Sequence, residues 1–372
     1  MARKFGKKNK IKVDPLAYNI GLIGESGIGK TTLAKDVCET LVGEDGYLIL
    51  NIGKEDGVDA IPDAIYENAP DWKTFNAIVT DIVKNKNTDY KDLKVIVYDT
   101  MDELFRITEP EVVRLHNVEN PDKQVKTIKA AFGGFQAGED KAIEIILDRI
   151  WSLKKVGVSM FYIGHTKKRT LTDAVTGIEY DMLTTNMLAK YFNAIKTKLH
   201  VLGVASVNRK IETKMVKQKV GKDKQVGSIV DESRIITFRD DNFNIDSKSR
   251  FTEIIPQIPL DYNAFINAVN DAIKVAHAKQ KTNTNSIEED RAEQEVEKEK
   301  EIDEAVETNQ LTLVDVEENV ELSEQIRLKL PEASAEVKVE IKETLAKYKV
   351  KSLGDTEGTP TIVFREIATL LG

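Results

Sequence analysis

A single cysteine, Cys38, and four histidines are all the softer metal ligands the chain carries, and the histidines are scattered. An intramolecular disulfide is thereby excluded, and so is a cysteine-based zinc site. No apolar run approaches the roughly 18 residues a membrane-spanning helix needs. The basic amino terminus (Arg3, Lys4, Lys7, Lys8, Lys10, Lys12) is not followed by the apolar stretch of a signal peptide. These absences read as a cytoplasmic protein with no membrane role. A formal charge of -8 argues weakly against a general nucleic-acid coat, but it decides little, because an acidic segment can mask a basic face elsewhere.

With 372 residues, 41% hydrophobic and 31% charged, the chain exceeds one compact core and suits two folded units with a linker. Residues 1–15 read as a basic tail. From Tyr18 to about Ile258, short β-type apolar runs alternate with helical patterns, the signature of a parallel sheet with crossover helices. The expected strands are Tyr18 to Ile23, Tyr47 to Ile52, Val95 to Tyr98, Ser159 to Gly164 and Leu199 to Ala205. The expected helices are Thr31 to Leu41, Trp72 to Val83 and Lys141 to Lys155. Val207 to Val216 and Arg234 to Arg239 alternate as antiparallel strands do, and a closing helix runs from Asp261 to Lys279. This defines an α/β domain over 16–280. Residues 281–317, rich in Glu, Lys, Asp, Asn, Gln and Thr, are expected to be an acidic disordered linker. Periodicity returns at Leu322 to Leu330, Val337 to Tyr348 and Thr361 to Leu371, giving a small helical module over 318–372.

The most specific signal is Gly24-Glu25-Ser26-Gly27-Ile28-Gly29-Lys30-Thr31, followed by Thr32, placed between a buried strand and a helix. A loop that wraps a phosphate must point successive backbone N–H groups inward, along a path open mainly to glycine. Lys30 then reaches the β- and γ-phosphates, Thr31 offers its hydroxyl to Mg²⁺, and the helix start presents its positive end to the anion. ATP and Mg²⁺ are the implied cofactors.

A carboxylate for the metal is expected where a buried strand ends, and Val95-Ile96-Val97-Tyr98-Asp99 supplies Asp99. A base that orients the attacking water has three candidates: Glu55, directly after the second strand, and Asp102 and Glu103, just beyond Asp99. Glu55 is preferred, because the other two also suit the first turn of a helix. His165, in Gly164-His165-Thr166 at the end of the fourth strand, can sense the γ-phosphate.

The order of Gly24 to Thr31, Glu55, Asp99 and His165 resembles the RecA-type ATPase core. In particular it is similar to the phage-encoded RecA-like nucleotide-binding proteins, which are associated with single-strand annealing and recombination and are often grouped with AAA ATPases. The resemblance runs from about Tyr18 to Lys279. Within it, Ser247-Lys248-Ser249-Arg250-Phe251 is similar to the Lys-x-Arg-Phe element of the RadA branch, which implies that Lys248 and Arg250 act in the nucleotide site of a neighbouring subunit. A homo-oligomer, ring or filament, follows from that. So does location in a bacterial host's cytoplasm for a phage protein. The implied function is ATP hydrolysis coupled to single-stranded DNA. Lys167-Lys168-Arg169 and the stretch from Lys210 to Lys224 are the basic candidates for that contact. Two other readings use the same loop: a stand-alone NTPase, and an ATP-binding module whose carboxyl-terminal part recruits a replication partner such as a single-strand-binding protein.

Overall fold

The computed structural model describes residues 9–172, 175–216, 224–239, 246–280, 285–312, 316–348, 350, 352–356 and 359–372. Its strands are β1 (Ile20–Gly24), β2 (Tyr47–Ile52), β3 (Tyr66–Ala69), β4 (Val95–Asp99), β5 (Ser159–Thr172), β6 (Glu179–Thr185), β7 (Val201–Val216), β8 (Lys224–Thr237), β9 (Lys248–Ser249) and β10 (Gln257–Pro259). The helices are α1 (Lys30–Val42), α2 (Trp72–Lys84), α3 (Met101–Glu119), α4 (Ala137–Lys155), α5 (Ala189–Lys196), α6 (Tyr262–Ala278), α7 (Ile287–Thr312), α8 (Val316–Lys329), α9 (Ala335–Lys347) and α10 (Thr361–Leu371). The class is α/β, with a mostly parallel central sheet, some antiparallel strands and a helical carboxyl-terminal part.

The main path of the sheet is β10-β8-β7-β1-β5-β4-β2-β3, with β6 paired to β5 and β9 to β7. Strands β1 and β4 are buried along their whole length, as central parallel strands covered on both faces must be. Their side chains divide by alternation. Leu22, Ile49, Val95 and Val97 join Leu33, Val37, Phe265, Val269 and Ile273 of α1 and α6 in one core. Tyr98 points the other way, where α3 packs and where Phe105 stacks on Tyr191 with ring centroids 4.2 Å apart.

Register fixes what meets at the carboxyl edge. Gly24 stands opposite His165 on one side and Ala205 on the other, and Asn51 stands opposite Asp99. Strand β5 therefore lies between the strand that feeds the glycine loop and the strand that ends in Asp99.

Several elements differ from expectation. The runs Leu199 to Ala205 and Val207 to Val216 fall largely on one strand, β7, whose first five residues, Val201 to Ala205, pair in parallel with β1 while Val204 to Val216 pair antiparallel with β8. Strand β5 continues past Gly164 to Thr172, because β6 supplies antiparallel partners from Thr166 onward. Helix α3 spans Pro110, a residue that hides its periodicity from a reader of the sequence. Residues 287–312 of the expected linker are helical. Glu, Lys and Ala are strong helix formers, so a composition too polar for a core can still sustain a helix. The start of α7 is held by Asp290, which meets His277 of α6 at 2.8 Å.

The chain divides into two compact units, Met1–Phe75 with Asp92–Ile150 and Val158–Val296, and Asn76–Lys91 with Trp151–Gly157 and Glu297–Gly372. In the second, Ile326, Ile341, Val363, Phe364 and Ile367 form a core contributed by α8, α9 and α10. Glu318 there accepts two hydrogen bonds from Arg365, at 2.6 and 2.7 Å, and one from Lys84 at 2.5 Å. Arg365, followed by Lys84, pulls its carboxyl down to about 2.

Candidate functional site

The loop after β1 turns through Gly27 (φ 75°) and Gly29 (φ 107°), both left-handed. Gly24 has a different reason to be glycine: a Cβ there would lie 2.8 Å from the carbonyl oxygen of Ala205. Helix α1 starts at Lys30 with Gly29 as its cap and no side chain capping it, so its first amides are available to an anion. The Lys30 ammonium is nearly buried and donates to the carbonyls of Gly24 (3.1 Å) and Glu25 (2.9 Å). Burial pulls its pKa below the ordinary lysine value, against the opposing pull of Asp99, Asp102, Glu55 and Glu25. Glu25, Ser26 and Thr32 are exposed around the loop, whereas Ile28 is buried beneath it.

Asp99 lies within reach. Thr31 Oγ1 donates to Asp99 Oδ2 at 2.7 Å, across 68 residues of sequence. Burial pushes the Asp99 carboxyl above its ordinary value, and the Thr31 hydrogen bond works against that shift. A hydroxyl and a carboxylate side by side, both hard oxygen donors beside a phosphate loop, fit magnesium, which takes few protein ligands and shares the rest with phosphate and water. Among the described residues there is no cluster of three or more His, Cys, Asp or Glu side chains able to hold a metal. The two donors thus suit a phosphate-bound ion rather than a protein cage.

The three base candidates separate by their surroundings. Glu103 is buried, pairs with Arg106 at 2.7 Å and packs under the turn at Gly53, where a Cβ would come within 2.5 Å of its Oε2. Asp102 Oδ2 accepts the backbone amide of His165 at 2.9 Å and lies 3.5 Å from His165 Nδ1. Glu55 is half-buried. Its Oε1 accepts from Thr100 Oγ1 at 3.4 Å and faces His165 Nδ1 at 3.9 Å. Lys30, Thr31, Asp99, Glu55 and His165 are therefore brought together from α1, β4, the segment after β2, and β5.

Lys248 and Arg250 are not part of that group. Residue Lys248 pairs with Leu202, and Ser249 pairs with Val201, which itself stands opposite Ile20 at the start of β1. From Val201 to Ala205 is four residues, roughly 13 Å along a strand, so both cations sit at the far edge of the sheet from their own glycine loop. Lys248 Nζ donates to the Lys196 carbonyl at 2.6 Å, and Arg250 donates to the Thr197 carbonyl at 2.7 Å. Phe251, buried against Tyr18, anchors the run.

Of the basic candidates for nucleic acid, Lys167, Lys168 and Arg169 are exposed on β5 just beyond His165, in a hairpin with β6 rather than in a loose loop. Lys168 pairs with Asp181 at 2.6 Å. The exposed apolar side chains Val175, Ile178 and Tyr180 belong to the same hairpin. In the second patch, Lys210 is exposed on β7, the side chains of Lys214 and Lys224 are not described, and Lys217, Lys219 and Lys222 lie outside the described residues. One contact to the loop has no local sequence signal: Arg234 of β8 donates to the Ile28 carbonyl at 3.2 Å.

A strand, a glycine loop closing on a buried lysine, and a helix whose threonine meets the aspartate of a nearby strand together define a P-loop nucleoside-triphosphate-binding fold. Residues 16–251 match the family described as an AAA domain, and the chain belongs to that family. It carries an AAA-type P-loop ATPase domain. No curated protein matches the chain. Among solved structures, it is similar to a prototypical ATPase from the type III secretion system of pathogenic bacteria, with 12% identity and a TM-score of 0.28 over 52% of this chain and 53% of that one. The match thus spans about half of that protein's length. No helix among the described residues is long and apolar enough to cross a membrane.

Proposed function

We propose that this protein binds and hydrolyses ATP and couples hydrolysis to single-stranded DNA, as a phage-type RecA-like factor in recombination or strand annealing. The observation that carries the reading is the meeting of Lys30, the Thr31–Asp99 pair, Glu55 and His165 at one sheet edge, with a cation-bearing hairpin running on directly from His165. The P-loop amides and Lys30 bind the phosphates. Thr31 and Asp99 would hold a magnesium ion, which supplies charge neutralisation when bound. Glu55 orients water for attack on the γ-phosphate, and His165, next to Glu55 and tied to Asp102, reads whether that phosphate is present. Strand β5 continues from His165 into Lys167, Lys168 and Arg169, so a change at the phosphate has a short covalent route to the DNA-binding hairpin.

Oligomerisation completes the site. Lys248 and Arg250 lie at the far edge from their own P-loop, which suits supply to a neighbour in a ring or filament. Phosphoryl transfer gains from such cations because charge spreads over the transferring group. The residues carboxyl-terminal to the ATPase domain, acidic then helical, suit recruitment of a partner such as a single-strand-binding protein.

The test is magnesium-dependent ATP turnover with and without single-stranded DNA. Stimulation by DNA supports the reading. Turnover indifferent to DNA would leave a stand-alone NTPase, and binding without turnover would leave an ATP-dependent recruiting module.

A further inference from the structure

The groups that face the terminal phosphate all lie on one side of β1. His165 lies where β5 passes the end of β1, Asp99 ends β4 and Glu55 follows β2, and these strands succeed one another away from β1 in the sheet. On the other side, β7 and β8 rise past the P-loop. Ala205 stands opposite Gly24, and two residues further along the ladder Val207 stands opposite Arg234. The carbonyl of Arg234 accepts the amide of Leu260 at 2.9 Å, which fixes the backbone from both sides. Its guanidinium is exposed, lies 3.9 Å from where a Gly29 Cβ would stand, and donates to the Ile28 carbonyl at 3.2 Å. Among the described residues it has no other side-chain partner and no carboxylate within ion-pair distance.

The chemistry of that single hydrogen bond is specific. In a trans peptide the C=O and the N–H point in opposite directions. Holding the Ile28 carbonyl outward therefore turns the N–H of Gly29 inward, into the concavity where a phosphate binds. Gly29 has φ 107°, a conformation that glycine tolerates but does not impose, so the plane of this peptide needs an external constraint. Arg234 supplies it, and adds a positive charge on the side of the loop away from Glu55 and His165.

Resting on the reading of the loop as a nucleotide site, we propose that Arg234 is a positioning residue for the phosphates nearer the nucleoside. It orients the Ile28–Gly29 peptide and lends its charge to a bound nucleoside di- or triphosphate. Because it acts away from the γ-phosphate, it serves ADP and ATP alike.

The experiment is calorimetric titration of the full chain, and of Arg234→Met and Arg234→Lys, with magnesium ATP and magnesium ADP, together with steady-state turnover and melting without nucleotide. Removing a hydrogen bond from a charged donor predicts affinity lower by about ten- to a hundredfold in Arg234→Met, equally for both nucleotides. The loss appears in KM more than in kcat. Arg234→Lys, which keeps the charge but not the planar fork, regains part of it. If Arg234→Met does not fold, Arg234→Lys decides, since under this proposal it melts normally yet binds both nucleotides several-fold more weakly. Unchanged ADP affinity in a folded variant, or a loss confined to ATP, overturns the proposal while leaving the nucleotide site intact. Wild-type protein that binds neither nucleotide overturns both.

Discussion

The backbone amide of His165 donates to Asp102 Oδ2 at 2.9 Å, so β5, at the point where it passes the P-loop, is tied to the first turn of α3. The same carboxylate faces the His165 ring at 3.5 Å, and its other oxygen, Oδ1, is buried with no hydrogen-bond partner among the described residues. Asp102 is thus engaged in holding a neighbour, while Glu55, half-buried, has a long contact from Thr100 at 3.4 Å and faces the same ring at 3.9 Å.

This difference predicts separable phenotypes. Glu55→Gln should retain ATP binding and lose turnover by about 10²- to 10⁴-fold, the range for a general base. Asp102→Asn should lose less, and should instead weaken the response of turnover to DNA, because its effect passes through His165. Single-turnover kinetics with and without single-stranded DNA distinguish the two. A Glu55→Gln protein that hydrolyses ATP normally would give the role of base back to Asp102.

Asp99 carries a pH-dependent prediction. Its carboxyl is raised by burial, so the fold without nucleotide favours the neutral form. A raised acid contributes stability that is full below the unfolded carboxylate value and is lost as pH rises through the folded one. Between the unfolded carboxylate value and neutral pH, Asp99 therefore weighs against the nucleotide-free fold, the cost a proposed metal ligand would carry. Asp99→Asn should melt higher than wild type at pH 7, by about 2–4 °C for each kcal/mol relieved. That gain should vanish toward acid pH. Magnesium-dependent turnover should fall by about 10²- to 10³-fold. Calorimetric melts at several pH values check the first part, and a destabilised Asp99→Asn protein would contradict it.

How much of this was legible in the sequence depended on whether the signal was local. The P-loop and the Val95–Asp99 run are read directly, because spacing and strand burial are properties of a few consecutive residues. The hairpin after His165 is hidden, since Lys167, Lys168 and Arg169 look like a loop until β6 is seen to pair with them. Strand β3, mostly exposed at the sheet edge, has too little apolar pattern to be noticed. Arg234 is the clearest limit: it lies 206 residues from Ile28, and nothing around it in sequence marks it as facing a phosphate loop.

The second compact unit offers a stability test remote from the nucleotide. Glu318, held near pKa 2 against an ordinary value of 4.5, binds Arg365 and Lys84. For a depressed acid the stabilisation is present above the unfolded value and is lost as pH falls through the folded one, here between roughly 4.5 and 2. Glu318→Gln should lower the stability of this unit by about 1.5–3 kcal/mol at pH 7. The low end is expected because the carboxylate keeps some solvent contact. The difference from wild type should narrow below pH 4.5 and close only toward pH 2. Hydrogen exchange of α8 and α10 at pH 7 reports it, and unchanged protection would show the ion pair to be incidental.

The far-edge position of Lys248 and Arg250 leads to the last prediction. Neither can reach its own P-loop along the sheet, so any role at the phosphate requires a second subunit. Specific activity should then rise with protein concentration until assembly saturates. Arg250→Ala should affect turnover far more than nucleotide binding, since an arginine supplied to a phosphoryl-transfer site contributes about 10³ to 10⁵ in rate. The Arg250→Ala subunit keeps an intact P-loop, and a Lys30→Ala subunit keeps an intact Arg250. Mixed assemblies therefore contain some complete sites and should regain part of the activity that each variant lacks alone. Turnover of the mixture, measured beside a mass determination that proves co-assembly, decides the matter. If the co-assembled mixture stays inactive, or Arg250→Ala is fully active as a monomer, then Lys248 and Arg250 serve only the bonds they make to the carbonyls of Lys196 and Thr197.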